Sequence, residues 1–217
     1  MRAGLALVGA LINPGAEGIE HMRMGVLGRA NYNSARRARV QRRAIVPAFE
    51  RLGGELTGCR VLEVGAGRGV GAESILDVLH AAAIDAVDLD PSMTRLARDR
   101  LRGRPASVLS ANNTALPFAD GAYDAVVDFG GIHLADDWCG VLGEIARVLR
   151  PDGWFYFEQP LNPASRWTID LPGGGRFPGG FGLAELLGAL EAAGLAVVGT
   201  ERRGVGGLDL IGVAHKR

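Results

Sequence analysis

Apolar residues along this chain alternate between two periods. Short apolar runs at Arg60 to Val64, Ile84 to Leu89, Ala106 to Leu109, Ala125 to Phe129, Trp154 to Glu158, Leu195 to Glu201 and Leu208 to Ala214 predict seven strands. Helical stretches lie between the early ones, at Gly71 to Ala83 and Pro91 to Arg102. Asp137 to Leu149 carries Val141, Leu142, Ile145, Val148 and Leu149 on one helical stripe, and Pro151 ends it, because proline disfavours the α conformation just before it. A last helix, Gly182 to Ala193, closes on Gly194. Strands that alternate with helices imply parallel βαβ units and a parallel sheet covered on both faces. The Gly204 to Gly207 turn joins the last two strands closely enough for an antiparallel hairpin. The expected fold is a doubly wound α/β domain with one antiparallel strand.

Two segments stand outside this alternation. Residues 1–52 are expected to form a helical cap, or lid, with Asn33 or Ser34 capping a helix and Tyr32 turned toward the site. The run Leu5 to Ile12 superficially resembles a secretory signal, but no A-x-A cleavage pattern follows and it is too short to span a bilayer, so a buried or cap-forming segment is expected. Residues 159–181, rich in Pro and Gly, are long for a connection in a compact domain and are expected to be a substrate loop. The remaining parts are a core at 53–158 and a C-terminal helix and hairpin at 182–217. A chain of 217 residues supports one domain of this kind.

The overall charge is balanced, with 24 basic and 24 acidic residues, which argues against a general polyanion binder. The balance is uneven along the chain: residues 1–52 carry nine Arg against three Glu. Arg36, Arg37, Arg39, Arg42 and Arg43 read as the solvated face of an amphipathic helix whose other face holds Ala38, Ile45, Phe49 and Leu52. The same cluster suits an anionic acceptor or a peripheral contact with a membrane surface. No aromatic platform accompanies it, which disfavours nucleic acid. Cys59 and Cys139 are far apart with no clustered His, so neither a disulfide framework nor a zinc site is indicated, and a reducing, cytoplasmic setting is expected.

The segment VLEVGAGRGVG, Val61 to Gly71, carries the strongest chemical signal. A buried strand runs into Gly65, Gly67 and Gly69, which permit a sharp turn and bare backbone against a ligand, and the helix that follows presents unpaired N–H groups. Asp88 follows 23 residues after Gly65, at the end of the second strand, where a carboxylate accepts two hydrogen bonds from a ribose diol.

These segments resemble the motifs of the class I S-adenosylmethionine-dependent methyltransferases, in particular the methyltransferase type 11 group. VLEVGAGRG is similar to the first motif, VDLDPSM to the second, ALPFADGAYDAVVDFGGIH to the third and LGEIARVLRPDGWFYFE to the last. The resemblance implies S-adenosyl-L-methionine as cofactor, a small-molecule acceptor and a seven-stranded sheet with its final strand antiparallel. It implies that Glu63, Gly65, Ala66 and Gly67 lie under the methionine end, with Glu63 orienting the ammonium group. It further implies that Asp88 holds the ribose, that Leu89 and Met93 lie near the adenine, and that Asn112, or Asn113 one position on, accepts from the adenine amine. Phe129 stands where the reactive methyl lies.

His133 is the candidate base, with Asp128 as its rival. Methyl transfer from a sulfonium is an in-line displacement that depends on alignment and water exclusion, so no metal is expected. Two other readings remain on the sequence: a non-catalytic cofactor-binding or regulatory protein that keeps the fold, and a nicotinamide-dependent oxidoreductase. The second fits poorly, because the third glycine of its fingerprint falls on Val70, or on Ala72 if counted from Gly67.

Overall fold

The computed structural model describes residues 34–161, 169–171, 175–177, 181–204 and 207–217. Tyr32, Asn33 and the run Leu5 to Ile12 lie outside the described residues. The chain enters through α1 (Ala35–Val40), a π-helical turn (Gln41–Ile45) and α2 (Val46–Gly53), which form one continuous helix. Ser34 caps it, its hydroxyl accepting from the Arg37 N–H at 3.1 Å. The widened turn has a cause in Pro47, which has no N–H and crowds the carbonyl one turn back, so the helix loosens just before it. There the Val46 N–H donates to Gln41 O, five residues back.

Then follow β1 (Arg60–Val64), α3 (Val70–Val78), β2 (Ala83–Asp88), α4 (Pro91–Arg100), β3 (Ala106–Ser110), β4 (Tyr123–Phe129), a 3₁₀ turn (Ile132–Leu134), α5 (Trp138–Val148) and β5 (Leu149–Pro160). The chain closes with β6 (Ile169–Leu171), β7 (Gly175–Phe177), α6 (Leu183–Ala192), β8 (Leu195–Arg203) and β9 (Asp209–Lys216). Seven strands form one sheet in the order β3-β2-β1-β4-β5-β9-β8. β1 to β5 pair in parallel, and β9 is antiparallel to both of its neighbours. The seven-stranded sheet and the C-terminal hairpin are therefore as expected.

The continuous apolar character of the central strands follows from burial on both faces. Val61, Ala125, Val127 and Tyr156 pack against Phe49, Ile75 and Leu79 of one helix layer. Leu62, Val126, Phe155 and Phe157, one residue out of phase, pack against Leu142, Ile145, Leu186 and Leu190 of the other.

The structure departs from expectation in three places. The helix expected to reach Ala83 stops at Val78, and His80 is left-handed at φ 58°. The last central strand runs over 12 residues from Leu149 because its ladder continues past a left-handed Asp152 (φ 59°) to the Pro160–Asp209 pair. The segment 159–181 is not wholly irregular: Gln159 belongs to β5, and β6 pairs with β7 in a separate two-stranded sheet.

Candidate functional site

The C-terminal ends of β1, β2 and β4 open onto a cleft whose far wall is α1 and the π-turn. At the end of β1 the chain turns through Gly65, Gly67 and Gly69, all left-handed at φ 67°, 53° and 75°. The turn is fixed by the Ala66 N–H donating to Val87 O at 2.8 Å and the Gly69 N–H to Ala66 O at 2.9 Å. A Cβ at Gly71 would fall 1.9 Å from Glu63 Oε1 and 2.6 Å from the Phe129 ring, so only glycine lets α3 begin this close to β1. The Gly71 requirement depends on contacts between separate strands, which the sequence spacing does not display.

Glu63 is 2% exposed and lines the cleft, and its Oε2 has no hydrogen-bond partner. Burial pushes its carboxyl well above the ordinary range, with the charges of Asp128 and Asp88 adding to the effect and a hydrogen bond from the Ala72 backbone opposing it. A buried acid with an orphaned oxygen in a cleft is a site for a cation or a multiple N–H donor.

Asp88 holds the cradle together. Its Oδ2 accepts the Gly67 N–H at 2.7 Å and its Oδ1 the Asp90 N–H at 2.8 Å, which fixes its carboxylate at the edge of the cleft. Met93, at the start of α4, also lines the cleft, whereas Leu89 is half-buried beside it and does not. Asn112 and Asn113 separate cleanly. Asn112 is exposed, its Oδ1 taken by the Thr114 N–H at 3.0 Å in a local turn, while Asn113 is buried at the cleft with Oδ1 unpartnered.

The expected bases lie elsewhere. Asp128 is fully buried, and its oxygens accept from the N–H groups of Gly130 (3.0 Å) and Gly131 (2.9 Å) and from Gln159 Nε2. A Cβ at Gly131 would fall 2.8 Å from Asp128 Oδ1, so the acid and the small residue shape that loop together. Burial raises its carboxyl to about 7, against the lowering effect of those donors. His133 is 5% exposed, and burial lowers it to about 4, with a hydrogen bond to Gln159 opposing and the Arg37 charge reinforcing the shift. Neither side chain lines the cleft among the described residues. The Asp128 carboxylate thus braces the loop after β4. His133 is neutral in this setting and packed beneath the site.

The expectation for Arg37 is corrected. Instead of lying in a solvated face it turns inward, with Nη1 donating to Glu158 Oε1 at 2.8 Å and Nη2 to Phe129 O at 3.1 Å and to Glu158 Oε2. Glu158 is only 5% exposed, so this is a buried pair that ties the helix to the ends of β4 and β5. Tyr156 anchors the other end of the helix, its hydroxyl donating to Gly53 O at 2.9 Å. Ser34, Arg37, Ala38 and Gln41 follow the three-and-four spacing of one helix face, and all four line the cleft. Gln41 was not singled out by the sequence, although that spacing from Ser34 was the signal. Tyr32 lies outside the described residues.

A seven-stranded sheet in this order, with a glycine turn after β1, an acid at the end of β2 and a buried glutamate, is a doubly wound α/β fold with its cleft at the carboxyl ends of the strands. Residues 62–157 match a family model described as a methyltransferase domain. Over that segment, a little under half of the chain, it is similar to the class I S-adenosylmethionine-dependent methyltransferases. It is 33% identical over 121 residues to a phthiotriol/phenolphthiotriol dimycocerosates methyltransferase of Mycobacterium ulcerans, a match covering 55% of this chain and 45% of that one. It is 34% identical over 118 residues to a fatty-acid O-methyltransferase of Mycolicibacterium smegmatis, covering 54% and 41% respectively. The chain thus spans about half the length of the curated relatives it matches. Among solved structures, a SAM-dependent methyltransferase from Aquifex aeolicus superposes with a TM-score of 0.70 at 17% identity, over 90% of this chain and all of that one, and shares the fold.

Proposed function

We propose that the protein transfers the methyl group of S-adenosyl-L-methionine to a small, largely apolar acceptor. One observation carries the reading: Glu63, buried with an oxygen that has no partner among the described residues, lines the same cleft as the Gly65 to Gly67 turn. Those residues fit the cofactor the family uses. Glu63 would accept from its ammonium group, Asp88 from its ribose hydroxyls and Asn113 from its adenine amine, while the bare backbone of Gly65 to Gly67 admits its amino-acid end. When bound, the cofactor supplies an electrophilic methyl on a sulfonium.

The chain's own contribution is alignment and exclusion of water. The face of α1 held by Arg37 covers the cleft, and Phe129 closes it beneath. The apolar acceptor class is supported by the names of the two mycobacterial relatives, a phthiotriol/phenolphthiotriol dimycocerosates methyltransferase and a fatty-acid O-methyltransferase. Peripheral contact of the N-terminal segment with a membrane belongs to the same reading, since such acceptors reside there. The reading that the fold serves only as a binding module has less support, because the cradle and its acids are intact.

The test is to incubate the purified chain with isotopically methyl-labelled cofactor and a panel of fatty acids, phenols and long-chain alcohols, extracting the organic phase. Label in at least one extracted product, lost on Glu63→Ala, is the expected result. Cofactor binding by calorimetry without label transfer to any of the panel would favour the binding module, and absence of binding would overturn the whole reading.

A further inference from the structure

The two helix layers on either side of the sheet differ sharply in charge. The layer beside β1 and β2, residues 34–53, 70–78 and 91–104, carries eleven arginines against four acids. The opposite layer, 137–148 and 182–192, carries one arginine against four acids. A near-neutral chain with its charge segregated across one sheet presents a strong positive field on one face only.

Part of that positive charge is consumed internally. Arg42 and Arg100 share Glu73, Arg104 pairs with Asp77, Arg51 with Glu201, and Arg37 with Glu158. Arg36, Arg39, Arg43 and Arg95 are exposed and make no ion pair with another described residue. Arg36, Arg39, Val40 and Arg43 form a stripe on the side of the first helix opposite to the cleft-lining stripe of Ser34, Arg37, Ala38 and Gln41. Val40 is 41% exposed among those arginines, and Leu96, 40% exposed on α4, stands next to Arg95 in the same layer. Basic residues interleaved with exposed aliphatic side chains meet the two requirements of reversible bilayer binding, attraction to anionic headgroups and insertion at the acyl boundary.

We propose that this layer is the face by which the protein docks on an anionic lipid bilayer, bringing the cleft beside α1 to the surface that holds its acceptor. The last part of that statement rests on the apolar-acceptor reading above, whereas the docking itself does not. Charge complementarity selects the partner. Among the described residues the face has no exposed aromatic side chain on which bases could stack, and its two aliphatic residues have no use against a phosphate backbone.

The full chain is sedimented with phosphatidylcholine vesicles, with and without a phosphatidylglycerol fraction, at low and high salt. Binding should need the anionic lipid and weaken with salt. Combining Arg36→Glu, Arg39→Glu and Arg43→Glu should lower vesicle affinity by at least about tenfold, because each basic residue near such a surface contributes appreciably. Cofactor affinity by calorimetry should stay unchanged in that variant, which shows that the fold survives. Val40→Ser with Leu96→Ser should weaken binding less and leave its salt dependence intact. Equal binding to both vesicle types, no binding, undiminished binding by the triple variant, or tighter binding to a short DNA duplex would each overturn the proposal. Methylation of a detergent-dispersed acceptor is measured in parallel: activity there without vesicle binding removes only the docking, and vesicle binding without cofactor binding removes only the proposed reaction.

Discussion

Two buried polar clusters lie within a few residues of each other at the end of the sheet, and they differ in how their hydrogen bonds are spent. Around Asp128, the donors of Gly130, Gly131 and Gln159 converge on one carboxylate, and His133 packs alongside, out of the cleft. Around the cleft, Glu63 and Asn113 each keep a side-chain oxygen with no partner among the described residues. The Asp128 carboxylate is saturated and stabilises its loop, although Gln159 Oε1 beside it has no partner among the described residues, whereas the open Glu63 oxygen belongs to a residue that lines the cleft, where something that enters can complete it. The lesson is that proximity of a histidine and an aspartate to a reaction centre says little until their partners are counted.

The contrast can be broken first at the open cluster. Gly71→Val drives a side chain into Glu63 and Phe129, and we expect cofactor affinity to fall by roughly a hundredfold on overpacking grounds, read by calorimetry. Affinity within a few fold of the parent would show that the cradle is not where the cofactor sits. Asp88→Ala comes next. It removes the acceptor for the Gly67 and Asp90 N–H groups and for the diol, and should weaken binding by about 2 kcal/mol. If Asp88→Ala binds as the parent does, the ribose assignment is lost.

The sealed cluster answers to pH rather than to ligand. Asp128, raised to about 7 from an ordinary 3.8, keeps its proton in the folded state longer than in the unfolded one, so its contribution to stability is lost as pH rises through about 7. His133, lowered to about 4 from 6.5, acts in the opposite sense: its contribution is present above about 6.5 and is lost as pH falls toward 4. The two contributions oppose each other between about pH 4 and 6.5, so the melting temperature should change little there and decline only as pH rises toward about 7. Asp128→Asn should remove the opposing contribution, so that the melting temperature rises between about pH 4 and 6.5 and no longer declines toward 7; an unchanged profile would remove Asp128 as a source of it.

The smallest effect is expected at Gln41, whose side chain lines the cleft from the π-turn. Gln41→Leu should change the Michaelis constant for cofactor or acceptor by about fivefold, the scale of one hydrogen bond, with no loss of melting temperature. A variant that loses stability but keeps its kinetics would make Gln41 a packing residue instead.

Much of the fold was legible because strand burial on both faces leaves continuous apolar runs, and because glycine and proline mark the turns around them. Boundaries were less so: β5 extends past the Pro151–Gly153 turn because its neighbours supply a ladder that no local signal announces. In the site, Gly65, Gly67 and Asp88 were visible from spacing alone, since a tight turn and a strand-end acid are local features. Arg37 was hidden among four other arginines, because nothing in a charge run tells which member finds a buried glutamate 121 residues away.

The order of residues thus determined the periods, the turns and the chemical types at the cleft. Only the tertiary structure decided which of two adjacent asparagines faces inward, which acid is saturated and which is left open, and that the arginines gather on one side of the sheet. These are relations between groups distant in the chain, set by how strands and helices pack, and short-range patterns carry no record of them.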